Sequence, residues 1–127
     1  MKLPETQPKI LIVDDEHLNI EVLCDVLEDD AELLFALNGE TALQLVQEEM
    51  PDIILLDVMM PDMDGYEVCR RLKENSATAH IPVIFVTALS QVADETKGLE
   101  LGATDFITKP VSPPVVRARV KNHVELK

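Results

Sequence analysis

The chain has 127 residues, 46% of them hydrophobic, enough for one compact domain with a core and too few for two. Its 24 acidic against 11 basic residues leave a formal net charge of -13, which repels nucleic acid and anionic membranes and suits cations or basic protein surfaces. Cys24 and Cys69 without metal spacing or a disulfide framework, no apolar leader in "MKLPETQPK", and no apolar run near the roughly 18 residues needed to span a bilayer predict a soluble protein of the reducing cytoplasm.

After an N-terminal extension (residues 1–7), "KILIV" (9–13) reads as a strand and is followed at once by Asp14 and Asp15. Leu18, Val22 and Val26 then recur at four-residue spacing, predicting a helix with those residues as its apolar face. "AELLFA" (31–36) is a second strand, and Asn38-Gly39 marks the turn into a helix carrying Ala42, Leu45 and Val46. Pro51 closes that helix before the third strand, "DIILL" (52–56), which ends at Asp57. Asp64-Gly65 marks the next turn, where Gly65 is expected to supply a positive φ, and Val68 and Leu72 face inward from the helix beyond it. "IPVIFV" (81–86) is a fourth strand, ending at Thr87; "QVADETKGLELG" is a helix stopped by Gly102; "DFIT" (105–108) is a fifth strand, ending at Lys109-Pro110. The last helical stretch, "SPPVVRARVKNHVELK", runs to Lys127 without a glycine cap and is expected to continue into an output domain.

The first, third and fourth strands are almost wholly apolar, as strands buried on both faces of a parallel sheet must be. Five βα units with right-handed crossovers make an α/β fold: one domain over 1–127, a doubly wound five-stranded parallel sheet with five helices on both faces.

In such a sheet, ligands bind beyond the carboxyl ends of the strands, near the point where strand order reverses. Asp14, Asp15, Asp57, Thr87 and Lys109 all follow strands and are therefore predicted to converge there. Each has an ordinary reading in isolation: one aspartate as the N-cap of the first helix, Asp57 as a loop carboxylate, Thr87 as a β-branched strand end, Lys109 as a surface lysine. Together they conflict, because carboxylates about 4 Å apart repel by about 4 kcal/mol at intermediate dielectric. A bound cation resolves the conflict, and oxygen-only ligands with room for water and phosphate favour Mg²⁺.

With "KILIVDDE", "DIILLDVMMPDMDGYEVCRRLK", "IPVIFVTA" and "GATDFITKPVSP" in place, the sequence resembles the receiver domain of bacterial two-component response regulators over essentially its whole length. The resemblance implies strand order 2-1-3-4-5 and makes Asp57 the phosphoacceptor, fed by a sensor histidine kinase or phosphotransfer protein. It implies Mg²⁺ held by Asp15, Asp57 and the backbone carbonyl of Met59, with Asp14 acting through water, and Lys109 paired with a phosphoryl oxygen. It also implies a cis Lys109-Pro110 bond, and a switch in which Thr87 moves to the phosphoryl group while Phe106 turns inward. The domain is thus expected to be a signalling switch with self-catalysed chemistry rather than a turnover enzyme. Met59 and Leu89 lie where the family tunes water attack on the acyl phosphate, and their apolar side chains predict slow self-dephosphorylation.

Lys97, Glu100, Asp105 and Arg119 resemble part of a charge set through which one regulator subfamily dimerises by its fourth and fifth helices, although Val115 stands where an acid is expected. The tail resembles receiver tails that precede cyclic-di-GMP enzymes. Two other classes fit less well. A hydrolytic aspartyl-phosphate phosphatase needs a second acid where this chain has Met59, and a flavodoxin-like carrier needs a phosphate-cradling loop where it has "DDEHLN".

Overall fold

The computed structural model describes residues 7–88 and 92–125. Ten elements alternate: β1 (Lys9–Val13), α1 (His17–Leu27), β2 (Glu32–Ala36), α2 (Gly39–Glu49), β3 (Ile53–Leu56), α3 (Gly65–Glu74), β4 (Val83–Thr87), α4 (Val92–Glu100), β5 (Asp105–Thr108) and α5 (Pro113–Glu125). The strands form one parallel sheet in the order β2-β1-β3-β4-β5. The fourth strand begins later than the apolar run suggested, because Pro82 has no N–H to give; its carbonyl accepts Ile54 N–H at 3.0 Å and the ladder starts at Val83. At its other end β4 runs one residue past the apolar run, to Thr87, which pairs with Thr108 of β5.

Two apolar layers cover the sheet. Leu11, Val13, Ile54, Leu56, Val83 and Phe85 point to one face, packed under Val46, Val68, Cys69 and Leu72. Ile10, Ile12, Ile53, Leu55, Ile84 and Val86 point to the other, under Ile20, Leu23, Val116 and Val120. This alternation along each strand explains why β1, β3 and β4 are buried throughout.

The buried face of α1 includes only Val26 of the predicted residues. Ile20, Leu23, Val26 and Leu27 face the core, whereas Leu18 is 74% exposed and Val22 47%. Both stripes are periodic in the sequence, but 20, 23 and 27 follow the helical i, i+3, i+7 pattern, and the sheet selects the stripe it contacts.

Gly65 also differs from expectation. It is the first residue of α3, behind the N-cap Asp64, whose side chain accepts Glu67 N–H at 2.9 Å. Positive φ falls instead on Asp62 (67°), Met50 (46°) and Gly102 (100°). What demands glycine at 65 is proximity: a Cβ there would lie 2.2 Å from the carbonyl oxygen of Asp57.

Candidate functional site

β1 and β3 are neighbours, yet the chain leaves β1 toward β2 on one side and only later returns to β3 on the other. The crevice at their carboxyl ends is therefore the switch point of the sheet. Two backbone bonds fix its walls: Asp14 N–H to Ala36 O at 3.1 Å and Asp57 N–H to Val13 O at 2.9 Å. Asp14 is 2% exposed and Asp57 4%.

The ammonium of Lys109 reaches in from beyond β5. Its Nζ lies 2.9 Å from Asp14 Oδ2 and 3.4 Å from Asp57 Oδ1. Lys109 N–H holds Thr87 O at 2.9 Å, which ties the lysine to the end of β4. The Lys109-Pro110 bond is cis, as the resemblance implied.

Charge and burial set the chemistry. Burial raises the Asp57 carboxyl from 3.8 to about 6, with Asp14 adding to the rise and Lys109 and the Met59 N–H opposing it. Burial also lowers the pKa of Lys109, but the two carboxylates outweigh that effect and hold it above its ordinary value. At neutral pH Asp57 is therefore mostly ionised, more basic than a solvated aspartate, and confronted by a fixed cation.

Neither aspartate of the acidic pair is the N-cap of α1. That position is Glu16, whose side chain makes no capping bond. Asp14 instead turns back on the chain, its Oδ1 accepting Glu16 N–H at 3.0 Å. Both Asp14 oxygens thus have protein donors, while Asp15 and Glu16 are exposed at the rim. Ligand atoms of Asp14, Asp15 and Glu16 lie within 4.8 Å of one another. An all-oxygen set of this kind suits a hard divalent cation. Glu16 does not follow a strand directly and so falls outside the strand-end pattern; its signal in the sequence is a third consecutive acid at a helix start.

The remaining predicted residues lie around this centre. Thr87 is buried at the end of β4, Met59 has an apolar side chain that is 62% exposed, and Phe106 is half-buried on β5. Leu89 lies outside the described residues. The Cys69 thiol, pushed by burial to about 11, has no nucleophilic character at neutral pH.

A buried carboxylate pair bridged by a lysine at the switch point of a doubly wound sheet defines a class of phosphoryl-accepting α/β switch domains. Residues 10–121 match the response regulator receiver domain family, and the chain belongs to that family. It is 46% identical over 120 residues to the response regulator PleD of Caulobacter vibrioides, covering 94% of this chain and 26% of that protein. A Vibrio cholerae protein named "Probable cyclic di-GMP phosphodiesterase" is 43% identical over 122 residues, covering 96% of this chain and 28% of the other. The chain therefore spans about a quarter of the length of these two relatives. Among solved structures, the BeF3-activated DrrB receiver domain superposes with a TM-score of 0.86 at 38% identity, covering 94% of this chain and 99% of that one. This chain is accordingly a receiver domain of two-component response regulators, a phosphoacceptor whose family takes phosphoryl groups from histidine kinases. The domain itself is a switch. Among the described residues, no helix is long and apolar enough to cross a membrane.

Proposed function

We propose that Asp57 is the phosphoacceptor, that Asp14, Asp15, Glu16 and Lys109 prepare it electrostatically, and that Thr87 and Phe106 carry the resulting state outward. The observation that supports this best is the buried Asp14–Lys109–Asp57 bridge at the switch point. Mg²⁺ is the cation an all-oxygen site fits, and Asp15, Asp57 and the Met59 carbonyl are the groups that would hold it. Asp14, each of whose oxygens already accepts one protein hydrogen bond, would assist in holding the cation through water. When bound, Mg²⁺ supplies neutralisation of phosphoryl oxygens.

The remaining chemistry belongs to the chain. A carboxylate oxygen of Asp57 attacks phosphorus in line, a P–O bond forms, and the bond from phosphorus to the donor's imidazole nitrogen or acetyl oxygen breaks. Lys109 stays within reach to pair a phosphoryl oxygen as a point charge. Thr87 offers its hydroxyl to another, and Phe106 follows into the space it leaves.

The phosphodonor is a histidine kinase or phosphotransfer protein. Exposed Leu18 and Val22 support docking beside the site, Val22 lining an apolar groove with Leu23, Val86 and Pro110. The output is a further domain, such as a cyclic-di-GMP enzyme, following α5. A homodimer through α4 and α5 would have to exchange an internal pair, since Asp105 already binds Arg119 at 2.9 Å and His123 at 2.9 Å. The setting is cytoplasmic, and neither nucleic acid nor membrane is a direct partner.

The deciding test is intact mass after incubation with acetyl phosphate, with and without Mg²⁺. The native chain gains one phosphoryl group only with Mg²⁺, and Asp57→Asn gains none. Uptake that survives in Asp57→Asn would place the acceptor elsewhere.

The exposed apolar Met59 offers nothing to hold an attacking water. Met59→Asn is therefore expected to shorten the phosphoryl lifetime by about tenfold, less than the roughly hundredfold or more of a true general base, because an amide can hold a water but cannot take its proton. An unchanged decay of phosphorylated mass in that variant would remove the role assigned to Met59.

A further inference from the structure

Gly98 occupies the interior of α4, where alanine would favour the helix by about 1 kcal/mol. The reason for glycine is the space beneath it. A Cβ at 98 would lie 2.4 Å from Phe106 Cζ and 2.9 Å from Phe85 Cε2. The two rings fill that space against each other, with centroids 5.3 Å apart and planes at 45°. Phe85 in turn meets Tyr66 of α3 edge to face, at 5.4 Å and 74°. Lys97 Nζ stands over the Tyr66 ring, 4.6 Å from its centroid. Lys97 and Gly98 are adjacent, so the contacts close on themselves: from α4 through Phe106 of β5, Phe85 of β4 and Tyr66 of α3 back to α4.

Such a closed circuit has few independent motions, because rings at packing distance cannot turn singly. A change of Phe106 rotamer removes the support under Gly98 and the ring against which Phe85 packs, and Phe85 is the ring that Tyr66 meets, so both changes reach the helix that carries Lys97. Tyr66 and Lys97 also line a cleft of about 560 Å³ between α3 and α4, with Met60, Asp64 and Leu101. We propose that this circuit is a second readout of the switch, in which phosphorylation of Asp57 breaks the Lys97–Tyr66 contact and reshapes the α3–α4 cleft. The inference rests on the phosphoacceptor reading above and extends it to the cleft between α3 and α4.

Tyr66 is the single tyrosine of a chain without tryptophan, so tyrosine emission reports this ring alone. Emission and intact mass should be read on the same samples, before and after acetyl phosphate with Mg²⁺. The native chain is expected to show a shift in Tyr66 emission that tracks phosphoryl uptake. Phe85→Leu, which opens the circuit in the core, should lose that shift while still taking up phosphoryl. Lys97→Met, an exposed change that leaves the fold intact, should lose it as well. Full phosphorylation with unaltered Tyr66 emission in the native chain, or a shift retained in both variants, would overturn the inference alone. Absence of phosphoryl uptake in the native chain would overturn the phosphoacceptor reading and this inference with it.

Discussion

Gly65→Ala is expected to lower the melting temperature by about 10 °C and to slow phosphorylation by acetyl phosphate about a hundredfold. The added methyl would sit 2.2 Å from Asp57 O and 2.8 Å from Val58 Cα, both backbone atoms of the segment that carries the Asp57 carboxylate. Gly65 N–H also donates to Val58 O at 2.9 Å, so the start of α3 cannot retreat without breaking that bond. Alanine would gain the better helix propensity, worth about 1 kcal/mol, against an overpacking cost of about 3 kcal/mol that no side-chain rotation relieves. The clash wins, and it displaces the residue whose placement the chemistry needs. Thermal melts and the initial rate of mass gain check the two parts separately. A variant as stable and as fast as the native chain would mean that the β3–α3 junction yields more readily than its bonds suggest.

Asp57→Asn is expected to stabilise the protein by about 2 to 3 kcal/mol near pH 7.5, with the gain vanishing toward pH 4. The sign follows from the direction of the shift. Asp57 has its pKa raised in the folded state, from 3.8 to about 6, so the folded chain binds that proton more tightly than the unfolded one. Below about 3.8 the group is neutral in both states and costs nothing. As pH rises through about 6 the folded state must carry a buried charge next to Asp14, and stability falls by the integrated difference. An amide of the same shape never pays that penalty. Urea melts of both proteins at pH 4 and pH 7.5 measure the gap directly. Mg²⁺ should narrow it at pH 7.5 by stabilising only the native chain. A variant less stable than the native chain at pH 7.5 would show that the Lys109 pairing outweighs burial.

The strands and the convergence of Asp14, Asp57 and Lys109 were legible because they depend on short-range patterns: short apolar runs, with these polar residues directly after three of them. The buried stripe of α1 was not, since 18-22-26 and 20-23-27 are both periodic and only contact with the sheet distinguishes them. The role of Gly65 was misread for a related reason. Asp-Gly signals a turn, and a turn suggested positive φ, whereas the actual requirement is a backbone carbonyl eight residues earlier in the chain. Glu16 was overlooked because a third acid adds little to a sequence pattern, although it adds a ligand atom to the rim.

The alternating βα order, the residue types at the strand ends and the acidic character of the site follow from local periodicity and composition. That Lys109 bridges Asp14 and Asp57, that burial raises the Asp57 pKa, and that Gly98 and Tyr66 share one ring circuit with Phe106 became visible in the folded chain alone. Those properties depend on distances and desolvation between residues far apart in the chain, which come into existence when the sheet closes.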